Sequence, residues 1–176
     1  MDRLGPQKSR IQILVVLVAV LAGLCPLCPG PPAWGQDKDL VLLYFPKTDR
    51  PALGLEQREV ERAAALTGWA KNAVRSLLCG PRTELAPLFK PGVGLRQVFV
   101  DQAGTAFVDL SVQAGGQGGV GAVQERLGLW ALVNTLCLNF KEIKAVKVLV
   151  NGGEAPALFG HVDISRPLLP DESLIK

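Results

Sequence analysis

Apolar residues fall along this chain in three patterns, and each predicts a different kind of element. The clearest is helical. Ala70, Ala73, Val74, Leu77 and Leu78 recur at i, i+3, i+4, i+7 and i+8, which puts them on one face of a helix over residues 68–81. Lys71, Asn72 and Arg75 lie off that face. Thr67 is placed to cap its start, and Gly80-Pro81 stops it. A second helix is expected over residues 122–140. Val123, Leu127, Trp130, Val133, Asn134 and Cys137 include one stripe, and Leu129, Leu132, Leu136 and Phe140 widen it. A helix so apolar should be largely buried.

The second pattern is strand-like. Residues 39–45 (DLVLLYF) are rich in strand formers and end at Pro46. Residues 55–62 read as a polar edge strand or an irregular arm. Residues 95–100 and 105–112 form a hairpin about the turn at 101–104. In its first strand Leu95, Gln97 and Phe99 face one way and Arg96, Val98 and Val100 the other. In its second strand Ala106, Val108, Leu110 and Val112 make the core face, leaving Phe107, Asp109 and Ser111 opposite. Residues 145–150 are a further strand closed by Asn151-Gly152-Gly153. A short helical turn is expected at 84–89, a Gly-rich loop at 114–121, a short last strand at 161–165 and a tail at 167–176.

The third pattern is the unbroken apolar run at residues 13–24. Arg3, Lys8 and Arg10 precede it, prolines follow it, and Ala33-Trp34-Gly35 offers a cleavage site before Gln36. Residues 1–35 therefore read as a secretory signal peptide, with an uncleaved membrane anchor as the alternative. Removing them leaves 16 basic and 15 acidic groups in one domain, residues 36–176, with its core at 39–165. That balance gives no charge surplus for nucleic acid. Cys25 and Cys28 fall in the leader. Cys79 and Cys137 each sit on the apolar side of a predicted helix and read as buried free thiols, a disulfide being the alternative.

Taken in order, these pieces resemble the GerMN domain family of sporulation and germination proteins. The matching residues are Leu43-Tyr44-Phe45, Arg58, Ala73, the run Leu77-Leu78-Cys79-Gly80-Pro81, and Pro91-Gly92-Val93. Val108-Asp109-Leu110-Ser111, the Gly-rich loop, Asn134-Thr135-Leu136, and the strand before Asn151-Gly152-Gly153 complete the set. The resemblance implies an α+β fold, two helices packed on a small mixed β-sheet, similar to ring-building modules. It also implies an exported, periplasmic or otherwise extracytoplasmic domain of the bacterial envelope, secreted or tethered to the inner membrane. Such a domain works in binding or assembly and brings no catalytic residues. Sporulation members carry two tandem copies, and this chain carries one.

Candidate chemistry changes that picture little. Residues 116–121 fit G-x-G-x-x-G, but no acid ends the next strand, so no cofactor is expected. One histidine and no acid or cysteine cluster leave no metal site. Ser111, Asp109, His161 and Asp163 suggest an envelope hydrolase as the alternative function. Ser111 stands outside a G-x-S-x-G elbow, however, and Asp109 and Ser111 are better read as fastening the Gly-rich loop. The expectation is a non-enzymatic module with an interaction surface at Trp69, Phe107, Asp109, Ser111, Gly116 and Gly118. Its partner is expected to be an envelope protein, a second copy, or a cell-wall component. The membrane enters only through an uncleaved leader.

Overall fold

The computed structural model describes residues 37–113 and 120–176. The leader, and with it the signal-peptide expectation, lies outside the described residues. Among the described residues, two short sheets, two α-helices and a final 3-10 turn (Glu172–Leu174) make up the domain. Strands β1 (Lys38–Pro46) and β2 (Leu53–Glu61) form an antiparallel pair, with Leu42 opposite Gln57 and Tyr44 opposite Leu55. Helix α1 (Leu66–Leu78) follows. Strands β3 (Val93–Val100) and β4 (Thr105–Val112) form the expected hairpin. Helix α2 (Ala122–Asn139) then carries the chain to β5 (Ala145–Val150), which lies parallel to β4. A parallel neighbour needs such a crossover, because a tight turn can only reverse the strand. The α+β class with two helices is as expected, but the strands divide into a two-stranded and a three-stranded sheet, the latter mixed and ordered β3-β4-β5.

The core lies where the helices meet both sheets. Ala70, Ala73, Val74 and Leu77 of α1 join Val108 and Leu110 of β4 and Leu43 and Phe45 of β1 in one buried cluster. Helix α2 packs on β1, β5 and α1, which is why its sequence is apolar on nearly every side. Gly128 lets α2 approach closely: a Cβ there would meet the Leu88 carbonyl oxygen and the Phe89 ring at 2.6 Å.

Polar side chains tie distant segments to this core, and three asparagines, of which Asn134 is fully buried, do so by binding both backbone polar groups of one residue. Asn139 accepts from the Leu42 N–H at 2.9 Å and donates to the Leu42 carbonyl at 2.7 Å. Asn151 does the same with Val112, at 3.0 and 3.1 Å. Asn134 does it with Asp171, at 2.9 and 2.8 Å. Thr135 accepts from the Tyr44 N–H at 3.1 Å. The Asn134-Thr135 pair of the motif thus fastens the C-terminal segment and the edge of β1 to α2.

Several local expectations are corrected. Helix α1 begins two residues earlier than a Thr67 cap allows. Ala65 is its N-cap, with no side-chain hydrogen bond, and Thr67 lies inside the first turn. Residues 84–89 are not helical: Pro87 disfavours helical backbone at Ala86, whose N–H donates instead to the Pro46 carbonyl at 2.8 Å. A bulge between Leu95 and Gln97 shifts the β3 register, so Leu95 pairs with Leu110 and turns to the core while Gln97 and Phe99 stay outside. Residues 161–165 form no strand, only a bridge between Ala157 and Asp163. The expected tail is built into the domain: Leu168 exchanges two hydrogen bonds with Val146, and Lys176 donates to the Leu53 carbonyl at 3.1 Å.

Candidate interaction surface

The β3-β4-β5 sheet presents one face to the helices and the other outward. Strict alternation in β4 sends Ala106, Val108, Leu110 and Val112 inward and leaves Phe107, Asp109 and Ser111 half-buried on the outer face. Pairing sets Phe99 beside Phe107 and Gln97 beside Asp109, with Leu149 of β5 on the other side of Asp109. The Phe99 and Phe107 rings are 6.3 Å apart and tilted by 45°. Phe99 is 53% exposed, unusual for an aromatic ring. Gln97, Phe99, Phe107, Asp109, Leu149 and Gly152 line a shallow hollow of about 460 Å³.

Asp109 organises one end of this face. Its Oδ2 accepts from Arg96 Nε at 2.9 Å and its Oδ1 from the Gly152 N–H at 2.8 Å. Asp109 thus holds the turn after β5; residues 114–119 of the Gly-rich loop it is expected to fasten lie outside the described residues. Gly152 follows Asn151, and both have positive φ, 88° and 52°, so the turn delivers an amide that a carboxylate can take.

The other edge of the outer face is covered by residues 154–165. Lys147, on the outer side of β5, is 4% exposed. Its ammonium donates to the Ser165 carbonyl and lies 3.6 Å from Glu154 Oε2. Glu125, fully buried in the first turn of α2, accepts from the Phe159 and His161 N–H groups at 2.8 and 2.9 Å. The His161 ring nitrogen Nε2 lies 2.9 Å from the Val120 carbonyl oxygen.

The remaining sequence-predicted residues fall elsewhere. Trp69 sits on α1, half-buried, with its ring edge-on to Phe140 at 4.9 Å and Arg62 stacked over it at 5.3 Å. Its Nε1 has no hydrogen-bond partner among the described residues. Gly116 and Gly118 lie outside the described residues. Ser111 and His161 are not brought together: no hydrogen bond joins them among the described residues, and the His161 ring is engaged by Val120. Asp163 is engaged by Ser165, whose hydroxyl and amide hold the carboxyl below its ordinary value. No group of acids, histidines and cysteines among the described residues could hold a metal.

Cys79 and Cys137 are free, and Cys79 is exposed at the end of α1 rather than buried. Burial pushes the Cys137 thiol up to about 11. At pH 8 a soluble alkylating reagent should label Cys79 to completion while Cys137 stays almost unlabelled, because only the thiolate attacks. Intact mass after timed quenching reads this directly; two equal labelling rates would contradict the burial of Cys137.

Sequence reasoning missed three features here. Alternation places Phe99 opposite Val98 and Val100 but does not by itself mark it as part of the surface. Arg96 and Leu149 gave no signal of their own. Phe99 could have been found by asking which large apolar residue shares a face with Gln97.

A family description, Germane (sporulation and spore germination), matches residues 42–156. No curated protein sequence matches the chain. Among solved structures, the tandem GerMN domains of the sporulation protein GerM from Bacillus subtilis align with a TM-score of 0.60 at 20% identity. That match covers 76% of this chain and 46% of the other, so the chain spans about half the tandem protein. The first GerMN domain of the same protein aligns with a TM-score of 0.55 at 21% identity, covering 74% of this chain and 97% of that one. A candidate lipoprotein from Clostridium perfringens aligns at 0.52 and 21% identity, covering 79% and 93%. At such identities the likeness is one of fold. Among the described residues no helix is long and apolar enough to cross a membrane.

Proposed function

This chain belongs to the Germane family, and on that premise we propose that it is an exported, non-catalytic binding module of the bacterial envelope whose working surface is the outer face of the β3-β4-β5 sheet. The observation that carries the reading is the exposed Phe99 ring beside Phe107 and Leu149, above a hollow of about 460 Å³. Exposing that much aromatic surface to water gains nothing for a lone domain, whereas aromatic anchors dominate the energy of interfaces. The hollow is within the usual size of a binding site, roughly 300–1,000 Å³. Support for a non-catalytic role comes from the occupied partners of His161 and Asp163. Support for export comes from the residue pattern at 1–35 and from the description of the Clostridium protein.

A photo-crosslinking residue at position 99 should trap a defined envelope partner in living cells. The same residue at position 123, equally exposed on α2, should trap none. Equal yields at both positions, or no adduct at 99, would remove the surface assignment. N-terminal sequencing of the native protein tests the leader: a start at Gln36 fits a cleaved signal, and retention of residues 1–35 leaves an anchored form of the same module.

A further inference from the structure

We infer that this face takes its partner as an extended peptide strand added to the free edge of β3, with one apolar side chain packed against the exposed Phe99 ring at the rim of the hollow. The inference rests on the reading of that face as the working surface and adds the kind of partner and the way it docks.

The strand edges of the domain can be accounted for one by one. The outer edge of β5 is taken by Leu168, which exchanges two hydrogen bonds with Val146 at 2.9 and 2.8 Å. The outer edge of β1 is taken by Asn139 and Thr135. One end of β2 is closed by Ile175 and Lys176; the rest of its outer edge is also open among the described residues, but it belongs to the other sheet and does not line the hollow. On β3, which α1 covers on its inner face, every strand bond among the described residues runs to β4, and no side chain or loop hydrogen-bonds its backbone from the far side. Its unpaired N–H and C=O groups are a template for a further strand. The bulge at Arg96 interrupts that edge, so the regular part is Gln97–Val100, alongside the hollow.

Area decides against a second copy stacked on the same face. Three strands about 4.8 Å apart and about 25 Å long offer roughly 350 Å² per partner, or about 700 Å² in total. A stable interface buries about 1,200–2,000 Å². Residues 154–165 over Lys147 reduce the open face further. A peptide needs no such area, because its main-chain hydrogen bonds give affinity and one pocket gives selectivity. Charge specifies the peptide more closely. Arg96 gives Asp109 only its Nε; its side chain is half exposed, and its terminal nitrogens make no bond among the described residues. They can receive a carboxylate, so the peptide should carry an acidic residue near its apolar one.

The test is amide and aromatic NMR of the mature domain with a set of blocked, threonine- and valine-rich hexapeptides. Each carries leucine, valine or phenylalanine at the centre and glutamate two positions on. At least one member should move the amides of residues 97–100 and the Phe99 ring signals, with a Kd of roughly 0.1–1 mM. Its twin with alternate N-methylated amides, and the variant Phe99→Ser, should each weaken binding about tenfold. Replacing the peptide glutamate by glutamine should weaken binding to the wild type and make no difference to Arg96→Gln. Shifts mapping elsewhere, equal binding of the N-methylated twin, or no shift with any member at about 2 mM would overturn strand addition. A specific crosslink at position 99 combined with a silent peptide set would keep the surface and discard only this docking mode.

Discussion

Replacing Arg58 by alanine is expected to destabilise the domain by about 3–5 kcal/mol, the range for removing one member of a buried ion pair. Arg58 and Glu56 are 6% and 7% exposed, on a strand whose alternating charges suggest a solvated arm. The guanidinium donates to Glu56 Oε1 through Nε and Nη2. It also donates to the Ser76 carbonyl at 2.7 Å and to the Gly80 carbonyl at 3.0 Å. Those carbonyls lie at the end of α1 and just beyond it, where a cation suits the helix dipole. Glu56 Oε2 in turn accepts from the Arg82 and Thr83 N–H groups at 2.8 and 3.2 Å and from the Thr83 hydroxyl at 3.0 Å. One charge pair therefore finishes α1 and fixes the turn after it. Alanine would strand the Glu56 carboxylate and two carbonyls. Urea unfolding of the mature domain measures the loss. A change below about 1 kcal/mol would mean that water reaches the pair and that it behaves as a surface bridge. The double variant Glu56→Leu with Arg58→Met should recover much of the loss, since a matched apolar replacement leaves no buried charge.

The same network gives the acid response. Burial alone would raise the Glu56 carboxyl, but hydrogen bonds from Arg58, the Arg82 amide and Thr83, with the Arg58 charge, outweigh it and hold the carboxyl below its ordinary value. A carboxyl lowered in the folded state binds its proton more readily in the unfolded chain. Its contribution is thus complete above the ordinary glutamate value of about 4.3 and is lost as pH falls through the lower folded value. The apolar double variant should lose that part of the acid sensitivity.

This pair also marks where sequence reading failed and why. Periodicity revealed α1, because Ala70, Ala73, Val74 and Leu77 all turned out to be fully buried. Alternation revealed the two faces of β4 for the same reason. In both, burial follows directly from apolar character. Glu56 and Arg58 invert the rule, since each is buried only because the other is. Asn139 is similar: its partner Leu42 lies 97 residues away, and nothing local announces it. The bulge at Arg96 is a backbone event that moves Leu95 to the core without changing any residue type. The candidate surface was half legible. Phe107 and Asp109 followed from alternation, but the partners of Asp109 are Arg96 and the turn at Gly152, which only the β4–β5 pairing brings near.

Replacing Glu125 by alanine is expected to cost about 3–5 kcal/mol in a single segment, because two charge-assisted hydrogen bonds are each worth about 1.5–3 kcal/mol. The carboxylate is wholly buried, and both its acceptors face amides of the covering segment, those of Phe159 and His161. Neither α1 nor β1 depends on it. The loss should therefore appear as local opening of residues 154–165, raising exchange of the Phe159 and His161 amides by about 10²–10⁴-fold while α1 amides change little. Glu125→Gln keeps one acceptor oxygen but sets an NH₂ group against the second amide, so its effect should lie between, closer to alanine. Uniform acceleration across the domain would instead mean that this segment and the core open together. The distinction bears on function. Gly152, which lines the hollow, is held by Asp109 and not by Glu125. Crosslinking at position 99 should therefore survive Glu125→Ala, and its loss would show that the covering segment belongs to the working surface.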